Sequence, residues 1–158
     1  RESCSVAVLD GTDIVYVLRI PTHKIMSINL GVGSRLPAYC TSLGRVLLGA
    51  LPDEELVERL KRSDITTRTK YTVTGMKDLL VRMEQTRKQG WSMVNQELEE
   101  GLVSMSAPIT DRAGRTVAAL NISGQANRTS ARIMQETMLP PLLSAAKDIS
   151  RMLTVQRA

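Results

Sequence analysis

The 158-residue sequence is poor in aromatic side chains, with one Trp, three Tyr and no Phe. Its core must therefore be aliphatic, and eight Met residues are available to fill irregular gaps. No apolar run is long enough to cross a bilayer as a helix, and we expect neither a membrane span nor a secretory leader. Apolar residues still make up 42% of the chain, which is the ordinary share for a globular protein. We therefore expect one folded domain over 1–158.

Cysteine and histidine are also scarce. Cys4 and Cys40 are the only cysteines, they do not form a CxxC pair, and they lie in apolar surroundings. We expect two free thiols in a reducing cytoplasm. The single histidine, His23, leaves no set of residues with the spacing of metal ligands. We therefore expect no metal and no cofactor.

Acidic residues are fewer than basic ones, 16 against 21, which gives a net charge of +5. The basic excess lies in residues 59–88, which contain nine Arg or Lys and three Asp or Glu. A positive patch can bind nucleic acid. Because this stretch has the pattern of helices joined by a loop, we interpret it as a solvated basic face and expect no direct DNA binding.

The hydrophobic pattern predicts an α+β fold. Turn residues separate apolar runs that predict strands at 4–9, 14–20, 25–30, 91–97, 102–110 and 115–123. Apolar residues at helical spacing predict helices that start near residues 42, 53, 76 and 129. Pro140 and Pro141 should kink or split the last helix. Strands occur in clusters, so we expect a mainly antiparallel sheet of about six strands with helices packed on it.

The predicted hairpin over 102–123 carries small polar side chains on one face. If its turn is 111–114, Ser104 pairs with Asn121, and Ser106 and Ser123 lie beside them. One interpretation is a solvated face. Solvated strand faces usually carry longer charged side chains, however, and small polar groups favour the floor of a small-molecule pocket.

A second candidate site lies where residues 33–44 lead into a helix. The free N–H groups near Thr41, Ser42 and Leu43 could bind an anion. Arg35 could add a charge-assisted hydrogen bond to a carboxylate. The alternative is an ordinary capped helix.

Catalytic residues are sparse. An enzyme would have to use His23 with the carboxylates of Glu97 and Glu100. A charged turn between strands explains the two glutamates better, and we expect no enzymatic activity.

Several segments resemble IclR-type bacterial transcriptional regulators. The signature positions are Gly90-Trp91-Ser92, Gln96-Glu97, Glu100-Gly101-Leu102 and Ser106-Ala107-Pro108-Ile109. Residues 35–48 and 119–124 also resemble this family. Residues 21–33 and 96–102 are most similar to the branch that regulates protocatechuate, 4-hydroxybenzoate and β-ketoadipate catabolism.

This resemblance implies a C-terminal effector-binding domain with a GAF-like fold. In the family, a winged helix-turn-helix domain precedes it and binds DNA, and the proteins are usually dimers or tetramers. We therefore expect 1–158 to be a single effector-binding domain that acts on DNA only through such an N-terminal domain. A dimerisation module with an empty pocket is the alternative.

The family's effector lies on the concave face of the sheet, at the start of a short helix. The matching positions here are Ile28, Leu36, Ser42, Leu43, Val94, Leu102, Ser104, Asn121 and Ser123. We expect a small carboxylate, such as β-ketoadipate or protocatechuate. Its anionic end should lie near Thr41, Ser42 and Leu43, with Arg35 or Arg19 beside it.

Overall fold

The computed structural model describes residues 2–21 and 30–155. Within them it contains six strands and four helices: β1 (Ser3–Asp10), β2 (Asp13–Ile20), β3 (Arg35–Pro37), α1 (Ser42–Gly49), α2 (Asp53–Arg62), α3 (Met76–Gln89), β4 (Ser92–Asn95), β5 (Leu102–Thr110), β6 (Thr116–Gln125) and α4 (Ala131–Val155). The predicted α+β class is confirmed. The sixth strand is the short β3, which the pattern did not predict. The predicted strand at 25–30 lies outside the described residues except for Leu30.

The strands form one antiparallel sheet in the order β3-β2-β1-β6-β5-β4. Helix α1 packs on one face, against β4, β5 and β6, and α3 packs on α1. Helix α4 covers β5 and β6 from the other face. Each face therefore has its own apolar cluster, one around Leu43 and Leu48 of α1 and one around Met105 and Met134.

Helix α1 is buried along its whole length. It begins where the Thr41 side chain accepts a hydrogen bond from the Gly44 N–H, so Thr41 is the N-cap residue. A Cβ atom on Gly44 would overlap the carbonyl oxygen of Ala38. Only glycine therefore lets the turn before α1 pack so closely against the helix.

The β5–β6 hairpin has a register that differs by two residues from the prediction. Ser104 lies opposite Ser123, and Ser106 lies opposite Asn121. Thr110 pairs with Thr116, so the loop is one residue longer than predicted, and an irregularity after Ile109 adds a second residue. A shift of two keeps every side chain on its predicted face. The polar face was therefore predicted correctly despite the wrong pairs.

Helix α4 runs without a break through Pro140 and Pro141, so the prediction that they split it is wrong. Proline removes two N–H donors, which leaves the carbonyls of Glu136 and Thr137 without helical partners. All four of these residues are exposed, so water can satisfy those carbonyls. In the described part of the chain, no helix is both long enough and apolar enough to cross a membrane.

Candidate effector site

A cavity lies between the polar face of the sheet and the start of α1. Its volume is about 20 Å³, which is enough for one water molecule. Ten of the twelve predicted site residues line it, together with four that were not predicted: Arg19, Leu36, Thr41, Ser42, Leu43, Val94, Leu102, Ser104, Asn121 and Ser123, with Ser3, Tyr16, Cys40 and Leu98. Ile28, another predicted site residue, lies outside the described residues.

The start of α1 faces this cavity. Thr41 satisfies the N–H of Gly44 at 3.0 Å, and the Arg45 N–H bonds to the Thr41 carbonyl. The N–H groups of Ser42 and Leu43 are the first two of the helix, where no intrahelical acceptor exists. Both residues line the cavity. The helix is thus capped, and its first two N–H groups belong to residues of the cavity wall.

The hydroxyl groups of three serines of the sheet form hydrogen bonds with Ser42 of α1. The Ser42 Oγ lies 2.7 Å from the Oγ of Ser104 and 2.7 Å from that of Ser106. The Ser92 hydroxyl donates to the Ser42 carbonyl at 2.6 Å. The polar face of the hairpin is therefore buried under α1, and the interpretation as a solvated face is wrong. Ser104 and Ser106 already have partners within the fold.

Two other polar groups of the cavity are incompletely satisfied. Among the described residues, neither Nε of Arg19 nor Oδ1 of Asn121 has a hydrogen-bond partner, although both atoms are buried. The rest of each side chain is held in place: Arg19 Nη1 donates to Ser5 Oγ at 2.9 Å, and Asn121 Nδ2 donates to Ser123 Oγ at 3.2 Å. Buried polar atoms without partners are rare in native proteins, so these two atoms distinguish this cavity wall from the rest of the described interior.

The wall of the cavity beside Arg19 is apolar. The Arg19 guanidinium lies 5.4 Å from the centre of the Tyr16 ring. Burial raises the pKa of the Tyr16 hydroxyl, and the charge of Arg19 opposes that effect. Burial also raises the pKa of the Cys40 thiol to about 11. Both side chains are therefore neutral near pH 7, and Arg19 supplies the positive charge of this wall.

The pattern of β1 could have revealed more of the site. Ser3 and Ser5 are buried and point to one face. They lie opposite Ser123 and Asn121 of β6. Small polar residues that alternate with apolar ones in β1 are thus the continuation of the β5–β6 polar face across a third strand.

Arg35 does not line the cavity, and its predicted role is wrong for the described structure. It donates to Asp13 at 3.1 Å and to Asp10 at 2.8 Å, on the exposed side of β3. The two aspartates flank the β1–β2 turn that lies next to β3. These hydrogen bonds raise the pKa of Arg35. The side chain is held by carboxylates of the protein itself.

Glu97 lies in the interior instead of an exposed turn, which corrects the sequence interpretation. Its carboxylate forms a two-pronged ion pair with Arg45 of α1, at 2.7 and 2.6 Å. The Arg45 side chain is 2% exposed and the Glu97 side chain is 8% exposed. The Val73 N–H also donates to Glu97 at 3.1 Å. We did not predict this pair; the available signal was a single charged residue, Arg45, among the apolar residues 43–48.

This ion pair removes Glu97 from the proposed catalytic group. Glu100 is exposed and His23 lies outside the described residues. Among residues 2–21 and 30–155, no group of three His, Cys, Asp or Glu side chains is placed to hold a metal ion. Both cysteines there are free thiols, with Cys40 buried and Cys4 half-buried.

The sequence of residues 1–151 matches the family described as "Bacterial transcriptional regulator IclR C-terminal". The chain belongs to this family. Its members are domains of transcriptional regulators and not of enzymes, so the enzyme hypothesis is dropped. A curated relative is the Pca regulon regulatory protein of Pseudomonas putida, 43% identical over 154 residues, which are 97% of this chain and 53% of the relative. The chain thus spans about half the length of the curated relatives it matches.

Solved structures of the IclR family share this fold. A transcriptional regulator from Rhodococcus has a TM-score of 0.93 and 46% identity, over 99% of this chain and 63% of that one. A double mutant of the PobR inducer-binding domain from Acinetobacter, in complex with 3-hydroxybenzoic acid, has a TM-score of 0.88 and 29% identity, over 95% and 88%. The GAF-like sheet and the resemblance to regulators of aromatic-acid catabolism are thereby confirmed.

We predict that Glu97→Gln lowers the free energy of unfolding by about 3–5 kcal/mol, because it leaves the buried charge of Arg45 without its counter-charge. Urea denaturation measures this directly. The matched control is Glu100→Gln on the exposed part of the same loop, which should change stability by less than about 0.5 kcal/mol. Equal effects of the two substitutions would contradict the importance of the ion pair.

Proposed function

We propose that this chain is the effector-binding domain of a regulator of aromatic-acid catabolism and that its effector is a hydroxylated aromatic carboxylate. The observation that carries the proposal is a pair of buried atoms in one cavity, Arg19 Nε and Asn121 Oδ1, for which the described residues supply no hydrogen-bond partner. One is a cationic donor and the other is an acceptor. A ligand with an anionic end and a donating end would satisfy both.

The carboxylate would bind between Arg19 and the start of α1. Arg19 offers a charged donor that is held by Ser5, and Ser42 and Leu43, the first two residues of α1, line the same cavity. Charge-assisted hydrogen bonds of this kind are roughly twice as strong as neutral ones. The positive end of the α1 dipole adds to the attraction.

The other end of the ligand would donate a hydrogen bond to Asn121. Because Asn121 Oδ1 is an acceptor, it favours a phenolic hydroxyl over a second carboxylate or a ketone. Protocatechuate and 4-hydroxybenzoate carry such a hydroxyl, whereas ionised β-ketoadipate offers acceptors only. Tyr16, Leu36 and Leu102 would contact the ring. The bound 3-hydroxybenzoic acid in the PobR relative supports the same chemical class.

Binding would also require the cavity to widen. Its present volume of about 20 Å³ suits one water molecule and is too small for an aromatic ring. Leu98 and Leu102 are half-buried members of its wall. We expect these two side chains to move apart, while the serine-bonded contact between α1 and the sheet stays in place.

The effector would act on DNA through the rest of the protein. A ligand shifts a conformational equilibrium only by its different affinity for the two states. The widening of the cavity provides that difference, since the narrow state has no room for the ring. DNA itself would be bound by a domain outside this chain, as in the family.

To test the effector, we predict that protocatechuate or 4-hydroxybenzoate at about 100 times its dissociation constant stabilises the domain by about 2.7 kcal/mol. That corresponds to a rise in Tm on the order of 5–10 °C. Asn121→Leu should fold and lose this rise, because it removes the acceptor and fills the cavity. The matched control, Asn127→Leu, changes an exposed asparagine and should keep it.

A rise in Tm that survives in folded Asn121→Leu would contradict the cavity assignment. No rise with any aromatic acid would contradict the sensor function and favour a dimerisation module. A rise with β-ketoadipate alone would retain the cavity and reject the phenolic class.

We also propose that the domain forms homo-oligomers. Three apolar residues near the end of β2 are exposed to solvent: Val17 is 47% exposed, Leu18 is 51% exposed and Ile20 is 58% exposed. Leu18 and Ile20 lie on the same face of the strand, and a patch of exposed apolar residues can mark a protein contact. Light scattering of the purified domain should give twice or four times the monomer mass, and Leu18→Lys should lower it. A monomer at every concentration would contradict this proposal.

A further inference from the structure

A second and larger cavity lies on the opposite side of the Arg45–Glu97 ion pair. It is a groove between α3, β4 and the segment 63–75, with a volume of about 390 Å³. Volumes of 300–1,000 Å³ are typical of small-molecule sites. The ion pair lies at the base of the groove, and none of the proposed effector contacts reaches into it.

The walls of the groove combine aromatic surface with positive charge. Tyr71 and Trp91 both line it, and Tyr71 is 46% exposed. Arg82 of α3 lines it too, and no carboxylate in the described part of the chain pairs with its guanidinium. Lys70 Nζ lies 5.3 Å from the centre of the Tyr71 ring.

Two acidic residues at or beside the groove already have ion-pair partners. Glu97 is the acidic residue that lines it, and its carboxylate is bound to Arg45. Glu84, on the same helix as Arg82, forms ion pairs with Arg87 and Lys88. The charge that remains uncompensated in the groove is therefore the positive charge of Arg82, with Lys70 at its rim.

We propose that this groove is a second binding site and that it takes a flat aromatic monocarboxylate. The carboxylate would bind Arg82, and the ring would pack against Tyr71 and Trp91. An aliphatic acid would leave the rings uncovered, and an uncharged aromatic would leave Arg82 without a counter-charge. The proposal does not depend on the proposed effector cavity, because no ligand contact is shared between the two.

The position of the groove allows the two sites to influence each other. Arg45 belongs to α1, whose first residues line the effector cavity, and Glu97 precedes Leu98, which lines that cavity as well. A ligand at the base of the groove would contact the pair that holds both walls. Any effect of one ligand on the affinity of the other would therefore pass through this pair and would be equal in both directions.

The chain contains one tryptophan, Trp91, so its fluorescence reports directly on the groove. The experiment titrates the domain with benzoate, exciting on the red edge of the indole band where benzoate does not absorb. We expect a saturable change in emission. Arg82→Gln should weaken binding at least about tenfold, because it removes a charge-assisted hydrogen bond. Asn121→Leu, which blocks the effector cavity, should retain the change.

The matched control is Arg112→Gln, which removes an exposed arginine from the β5–β6 turn and should leave the titration unchanged. The melting temperature of each variant confirms that it folds. No saturable change, or a change lost in Asn121→Leu and kept in Arg82→Gln, would overturn the second site. An equal response to acetate, which has no ring, would overturn the aromatic class of the ligand.

Discussion

The buried ion pair between Arg45 and Glu97 determines where α1 can lie. Both charges are out of water and each has the other as its partner, so separating them would cost several kcal/mol. Glu97 also accepts from the Val73 N–H. One carboxylate thus ties the helix to the loop after β4 and to the segment before α3. The N–H groups at the start of α1 are held at the cavity as a consequence.

The polar side chains of the sheet that face α1 and the cavity form two groups. The hydroxyls of Ser104 and Ser106 bond to Ser42 and attach α1 to the sheet. Arg19 and Asn121 each keep one buried atom for which residues 2–21 and 30–155 supply no hydrogen-bond partner. The first group completes its hydrogen bonds within the protein, and the second is the group that we propose binds the ligand. The hydrogen bonds of these side chains therefore distinguish residues that hold the fold together from the proposed ligand contacts on the same face of the sheet.

The local sequence pattern was sufficient to predict the fold class and most of the residues that line the cavity. Alternation in strands and helical spacing both indicate which face of an element is buried. It did not give pairings that depend on tertiary structure. The hairpin register shifted through a longer loop and an irregularity, neither of which changes the pattern. Arg45 and Glu97 are distant in sequence, so the sequence pattern does not indicate that they pair. Arg35 lost its predicted role because the fold brings Asp10 and Asp13 beside it.

The most direct test of the account is a crystal structure of the domain with 4-hydroxybenzoate. We expect the ligand in the cavity under α1, with its carboxylate within hydrogen-bonding distance of Arg19 and of the Ser42 or Leu43 N–H. Its hydroxyl should donate to Asn121 Oδ1, and Leu98 should have moved outward. A ligand bound in the reverse orientation, or a cavity that stays closed while the ligand lies elsewhere, would contradict it.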